Sequence, residues 1–362
     1  MSESAATDPS APAAPPASAG ASGAHRRLLA SLVVLVPLAL AVLFPLAESG
    51  NQGNMSIAVF ALIFMASVSS WNIFSGYTGY LALGHAVFFG TGAYTIALTA
   101  QDWHVPAGWA VMAMLPLGGL LAGLVAIPVG IVALRTRRHT FVVVTIGVFF
   151  IFQTLATNLG FAGGTGGIQL PYVAWSFSAF NQRFYYVALV ILVATVALSW
   201  AVRRSRFGLQ LMAIRDDEDR ARGMGVRTAR VKLAAFVLSA IPVGMAGGLW
   251  AYFLGSVYPQ SAFDPLFDVA LALMGFFGGI GTIAGPLVGA LVLESLQQYF
   301  TQKFSANGLY LIVYGSLFLV VILLMPRGIV PSASQWLRSW RAQRADRTST
   351  PTAGASVAEV AR

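Results

Sequence analysis

Residues 203–232 read RRSRFGLQLMAIRDDEDRARGMGVRTARVK, and the centre of that stretch, 213–226, decides how the rest of the chain is arranged. Seven of those fourteen central residues are charged, against 10% of the whole chain. On either side the sequence is nearly hydrocarbon: 57% of residues are apolar and the mean hydropathy is +0.73. A soluble domain carries roughly 25% charged residues. The charged stretch is therefore a loop between membrane-crossing segments, and the chain is an all-α polytopic membrane protein.

Working outward, a span needs about 20 apolar residues. Ten stretches qualify: 28–47, 55–75, 79–100, 107–134, 140–160, 184–202, 231–253, 266–279, 283–302 and 308–325. Glycines punctuate the third, and also the region joining the eighth and ninth. These predict broken or re-entrant segments near 76–92 and 275–289. His25-Arg26-Arg27 and the run after it resemble a signal peptide, but the run is too long for one and reads as the first span. Residues 1–24, rich in Ala, Pro, Ser and Gly, predict a disordered cytoplasmic tail. Residues 25–330 form the transmembrane domain, with the loop 203–230 inside it. Residues 331–362 form a basic amphipathic tail. There Trp336, Leu337 and Trp340 share a helical face that suits a lipid interface.

Positive charge orients this layout. With the N-terminus in the cytoplasm, 20 of the 22 Lys and Arg residues fall on the cytoplasmic side, and only Arg183 and Lys303 fall outside. That is the positive-inside pattern. It puts both termini and the 203–230 loop in the cytoplasm. It also accounts for the net charge of +9 without nucleic acid as a partner.

Topology alone needs Lys and Arg, yet Asp216, Asp217, Glu218 and Asp219 are four consecutive acids. Leu211, Ile214, Ala221 and Met224 are spaced 3, 7 and 3 apart and fall on one helical face. Asp216–Arg220 and Glu218–Arg222 are acid-before-base pairs at the favourable i,i+4 spacing. The expectation is one amphipathic helix over 211–224, followed by Gly225, with Arg215 on its flank. An apolar face with charged flanks, lying between two spans, is a docking surface.

That loop resembles the cytoplasmic coupling helix of ABC-importer permeases. The version AIRDDEDRARGMGVRTARVKLAAFVLSAIPVGMAGGLWA, from 213 to 251, is similar to the branched-chain amino acid permeases, specifically the M-type subunit of the leucine–isoleucine–valine importer. Four further blocks agree: GYTGYLALGHAVFFGTGAYTIAL at 76–98, FAGGTGGIQLP at 161–171, GGIGTIAGPLVGALVLESLQ at 278–297 and MPRGIVP at 325–331. The resemblance implies an ABC-importer permease fold and a non-catalytic transport subunit. It implies as partners a second, H-type permease, two ABC ATPase subunits, an extracytoplasmic solute-binding protein, membrane lipid and a small-molecule substrate. Branched-chain amino acids are the implied substrate class.

The glycines have a physical reading of their own. Small residues let helices approach closely, and irregular backbone at membrane depth survives only when buried in protein or lining a cavity. Gly76, Gly79, Gly84, Gly90, Gly279 and Gly281 are candidates for the translocation pathway on that basis. Ordinary helix packing is the alternative. His85, Asp268 and Glu294 are ionisable residues inside spans. His85 and Glu294 join the pathway candidates. His85 reads equally as a donor to a neighbouring helix carbonyl, Asp268 as a cap for its own span, and Glu294 has no intramembrane Lys or Arg to pair with. Gly163, Gly164, Thr165, Gly166 and Gly167 form an external loop that either meets a binding protein or seals the outer mouth.

Several chemistries are excluded. Without cysteine, no disulfide or thiolate metal site exists. No phosphate-binding GxxxxGK[ST] motif, catalytic triad or HExxH is present, and no cofactor or metal is expected. Few buried acids argue against an ion-coupled carrier, which stays as the rival of another class. Within the same superfamily, permeases for urea, amides, aromatic acids or sugars remain open.

Overall fold

The computed structural model describes residues 36–48, 51–304, 315–316, 328–332 and 336. The expected N-terminal tail, all but residues 315–316 of the tenth span and most of the C-terminal tail lie outside the described residues. The chain divides into two units, Met1–Glu48 and Ser49–Arg362. The first contains helix α1 (Val36–Ala47), the described part of the first expected span.

The second unit is a helical bundle. In chain order it holds α2 (Gln52–Trp71), which runs on through a π-helical turn, Asn72–Gly76, and α3 (His85–Asp102). Next come the short α4 (Trp109–Ala113), then α5 (Leu115–Ala133) and α6 (Arg138–Asn158). After two 3-10 turns and strand β1 (Ile168–Gln169) follow α7 (Phe177–Arg204), α8 (Arg206–Asp216) and α9 (Glu218–Gly223). The rest is α10 (Thr228–Leu254), strand β2 (Ser256–Val257), the short α11 (Pro259–Ala262), α12 (Pro265–Gly278) and α13 (Ala284–Phe304).

Six helical stretches among the described residues are long and apolar enough to cross a membrane: Gln52–Gly76, Trp109–Ala133, Arg138–Asn158, Phe177–Arg204, Thr228–Leu254 and Pro259–Gly278. This establishes a multi-pass membrane protein. Its outward face carries large apolar side chains such as Val143, Phe150, Ile151 and Val190, a surface that only lipid or a protein partner covers at low cost.

Two elements are interrupted, and both breaks fall where the sequence concentrates glycine. Between α2 and α3 the backbone of 79–84 is not helical. Its polar groups are satisfied from the side, as membrane depth demands. Trp71 Nε1 donates to the Ala82 carbonyl at 2.8 Å, and the Ala82 and Leu83 amides donate to the hydroxyls of Ser75 and Thr145, each at 3.2 Å. The second break, 279–283, turns α12 back along α13. Gly289 makes that pairing tight: a Cβ there would overlap the Met274 carbonyl. Gly328 and Pro331 of the MPRGIVP block pack against Gly279 at the same turn.

An aromatic cluster of Phe74, Phe88, Phe141 and Phe236 fills the centre, with the rings of successive pairs 5.0–5.6 Å apart. At the end away from α8 and α9, β1 pairs antiparallel with β2, Ile168 opposite Val257.

Candidate functional site

The two breaks meet at one end of the bundle, and α8 and α9 lie on the same spot. Asn72, the first residue of the π-helical turn, clamps the second break from both sides. Its amide donates to the Thr282 carbonyl at 2.8 Å and its carbonyl oxygen accepts the Gly281 amide at 2.8 Å. Two arginines close the junction. Arg215, in the last turn of α8, donates to the Gly76 carbonyl at 2.7 Å, and Arg203, in the last turn of α7, donates to the Gly281 carbonyl at 2.7 Å. Charge-assisted bonds to backbone carbonyls are among the stronger neutral-partner contacts. The glycines are required here. Gly281 has φ +79°, and a Cβ on it would overlap the Arg215 guanidinium.

The loop itself departs from the expected single helix. Ser205 caps α8 by accepting the Gly208 amide at 3.1 Å. The helix then stops at Asp217, which is extended (φ −157°, ψ 111°) and caps α9 by accepting the Asp219 and Arg220 amides, each at 3.0 Å. A carboxylate gains more as an N-cap than inside a run of four acids. Expected pairs change accordingly. Arg220 bonds Asp217 at 3.1 Å instead of Asp216, while the Glu218–Arg222 pair forms at 3.4 Å. Leu211, Ile214 and Ala221 are fully buried against the chain's own helices, and Met224 is 74% exposed. The shared apolar face therefore ends at Ala221. What faces outward is Asp216, Asp219, Arg220, Arg222, Met224 and Gly225.

A buried ion pair fixes α9 to the bundle. Lys232 of α10 bonds Glu218 at 2.7 Å, with side chains 4% and 17% exposed. Tyr80, in the first break, donates its hydroxyl to Glu218 and accepts from Lys232 at 3.1 Å. Arg138 completes the junction, donating to the carbonyls of Ile214 and Arg215 at 2.9 and 2.8 Å. Burial pushes the Glu218 carboxyl up, but hydrogen bonds from Lys232 and Tyr80, with the Lys232 charge, outweigh it and hold Glu218 below the ordinary range. Asp217 is likewise held low, chiefly by the backbone amide of Arg220.

The residues expected along a pathway are placed in packing contacts. Gly76 and Gly281 touch at the junction, and Gly79 (φ +72°) lies on Arg215. Gly84 packs on Thr145, Gly90 on the Phe263 ring and Gly279 on Pro331. His85 is fully buried and bonds the Ser239 hydroxyl at 3.0 Å, not a carbonyl. Asp268 does not cap its own span; Asp264 does, by accepting the Leu266 amide at 2.8 Å. Asp268 instead caps the first turn of α3, accepting the Ala86 amide at 3.1 Å. Glu294 takes its bond from Gln298, one turn on, at 2.8 Å. At the opposite end Gly163, Gly164 and Gly167 all have positive φ, and Thr165 and Gly166 complete the turn that leads into β1. A Cβ on Gly167 would press on the Val257 carbonyl, so this loop is clasped to the chain after α10.

Asn72, Tyr80, Arg138 and Arg203 escaped the sequence reading as members of the site. Asn72 alone carried a usable signal, an amide inside an apolar span.

A family model described as "Branched-chain amino acid transport system / permease component" matches residues 54–322. The high-affinity branched-chain amino acid transport system permease protein LivM of Escherichia coli is 28% identical over 311 residues, covering 78% of this chain and 71% of that protein. LivH of Escherichia coli is 30% identical over 142 residues, 39% of this chain and 45% of that protein. The fructose import permease protein FrcC of Rhizobium meliloti is 31% identical over 131 residues, 34% and 36% of the two chains. No solved structure matches. With some three quarters of its length inside the family match, spanning both breaks and the charged loop, the chain belongs to the permease components of branched-chain amino acid transport systems.

Proposed function

We propose that this chain is one of two permease subunits in an ATP-driven importer of branched-chain amino acids, and that α8 and α9 are the lever through which ATPase subunits drive it. The observation that carries this reading is the Arg215–Gly76 bond, which joins the charged loop directly to a helix break. A push on the exposed face of α9 passes through Arg215 to the end of α2, and through Asn72 to the α12–α13 turn. Both breaks then shift together, and breaks at membrane depth are where a bundle changes which side it opens to. In this reading, which rests on the positive-inside pattern, the loop lies in the cytoplasm and the Gly163–Gly167 turn outside, facing an extracytoplasmic binding protein. The partner permease is of the LivH kind. Hydrolysis belongs to the ATPase subunits, and this chain contributes no catalytic group.

The test is reconstitution of the chain in liposomes with its LivH-type partner, both ATPases and the binding protein. Leucine uptake that needs all components and ATP is the expected result. Uptake by this chain alone, driven by a proton or sodium gradient, would overturn it. The likeness to a fructose permease favours one second reading, a sugar substrate. Fructose uptake with no leucine uptake would establish that reading and leave the coupling intact.

A further inference from the structure

Two arginines of α7 lie flat on tryptophan and have no anion. The Arg183 guanidinium sits over the Trp175 ring at 4.2 Å, with the Trp109 ring at 6.0 Å, and the Arg204 guanidinium sits over the Trp200 ring at 4.3 Å. Neither has an acidic partner or a hydrogen-bond acceptor among the described residues, and α7 contains no Asp or Glu. Arg203, beside Arg204, differs: it is committed to the Gly281 carbonyl. The indole N–H of Trp71 has an acceptor, the Ala82 carbonyl, whereas those of Trp109, Trp175 and Trp200 have none among the described residues. Each end of α7 therefore gathers N–H donors around a positive charge and supplies no acceptor. The arrangement at Trp175 is held in place. Gly108, at φ +111°, lets that ring lie against its backbone, and the Tyr252 hydroxyl accepts the Gly108 amide at 2.5 Å.

The two ends share one face of the helix. Arg183, Val190, Ala197 and Arg204 follow one another at intervals of seven residues, two helical turns each. Between the arginines the face is apolar and open: Val190 is 68% exposed and Val193 42%, while Phe184, Ala188, Ile191 and Thr195 are buried on the opposite side. The arginines are 21 positions apart, about 31 Å along the helix axis. The hydrocarbon core of a bilayer is about 30 Å thick.

We propose that this face of α7 is turned to lipid and is bound at both ends to phospholipid. Arg183, with the indole N–H groups of Trp175 and Trp109, holds a headgroup phosphate of one leaflet, and Arg204 with Trp200 holds a phosphate of the other. Guanidinium groups suit phosphate oxygens. Arginine stems lean outward from the ends of a span to reach them, and tryptophan is at home at the same depth. A protein covering this face would need an acid at each end at that separation, whereas a bilayer presents a plane of phosphates on either side. A second permease subunit therefore packs against another face of the bundle.

The test uses the full chain, labelled with carbon-13 at arginine Cζ, in phosphatidylcholine bilayers and phosphate-free buffer, where lipid is the only source of phosphorus. Carbon–phosphorus dipolar dephasing is expected in the wild type. Arg183→Gln and Arg204→Gln should each lose the dephased signal of one guanidinium carbon. Spectra as strongly dephased in both variants as in the wild type would overturn the proposal. So would a difference that appears only when inorganic phosphate is added, which would make the ligand a free anion. A second measurement places a nitroxide on Val190→Cys in the otherwise unaltered chain. Its relaxation by oxygen should be strong, its relaxation by a water-soluble nickel chelate weak, and both should stay so when the LivH-type partner is assembled. Loss of most of the oxygen effect on assembly would make this face a protein interface and overturn the proposal.

Discussion

Arg215 donates to the carbonyl of Gly76 at 2.7 Å, so the end of α8 is tied to the last residue of the π-helical turn after α2. Asn72 in that turn also holds Gly281 and Thr282, and the same guanidinium packs directly on Gly281, so it touches both broken segments. The charged loop is thus built into the bundle from below, with its polar face left outward.

Arg215→Gln removes this bond while leaving Leu211 and Ile214 to hold α8 in place. A hydrogen bond to a charged group is worth about 1.5–3 kcal/mol. We expect the chain to assemble with its partners, with ATP hydrolysis continuing but its stimulation by loaded binding protein falling about tenfold or more. Reconstituted ATPase assays with and without loaded binding protein measure this. Undiminished stimulation would remove Arg215 from the lever.

Gly281→Ala puts a methyl group into the Arg215 guanidinium at φ +79°. Gly147→Ala, in α6, meets nothing within 4 Å. The first should abolish transport and lower stability by about 1–3 kcal/mol, through overpacking and backbone strain. The second should be neutral or stabilising by up to about 1 kcal/mol, the helix-interior gain of Ala over Gly. Unfolding of both variants in detergent is the comparison, and equal effects would contradict the junction's tight fit.

The Glu218–Lys232 pair should break asymmetrically. Glu218→Ala strands a nearly buried ammonium beside Tyr80, a loss of about 3 kcal/mol. Lys232→Met leaves Glu218, which has partial access to water and Tyr80 and Arg222 as partners, and should cost about 1 kcal/mol. The 17% exposure of Glu218 discounts both figures below those of a fully enclosed pair. Stability of the two variants in detergent decides the order.

Acid should loosen α9 before the bundle. The Glu218 carboxyl is held below its ordinary value of 4.5, and Asp217 below 3.8. A depressed carboxyl contributes stability that is fully present above its unfolded value and is lost as pH falls through its folded value. Amide exchange across 218–223, corrected for intrinsic rates, should therefore be flat from pH 7 to about 5 and rise below 4.5. Loosening that begins near neutral pH would contradict the depressed Glu218.

Much of this was legible in the sequence because lipid imposes simple rules. Apolar runs marked six of the ten expected spans as helices long and apolar enough to cross a membrane, and glycine density at 76–92 and 275–289 marked both breaks. The end of the first helix at Asp217 was hidden, because an i,i+4 pattern across 211–224 reads as one helix while a cap reads only as a residue that leaves it. Met224 fell outside the buried face for the same reason. Arg203 reads as an ordinary loop charge and Arg215 as the flank of the docking helix, since nothing local tells a solvated arginine from one aimed at a backbone carbonyl 78 or 139 residues away. Lys232 closes the charged run at 203–232, and its burial follows only from Glu218 folding over it.

The chain has no cysteine, so a single one introduced at the exposed Met224 reports on one contact. Met224→Cys in the assembled transporter, paired with cysteines on the ATPase surface, measures directly whether α9 meets the motor. Disulfide formation with the ATPase subunit, at a yield that changes when ATP is added, is the expected result. Efficient labelling of that cysteine by an impermeant maleimide added outside sealed, right-side-out vesicles would put α9 on the wrong side of the membrane and contradict its role as the lever.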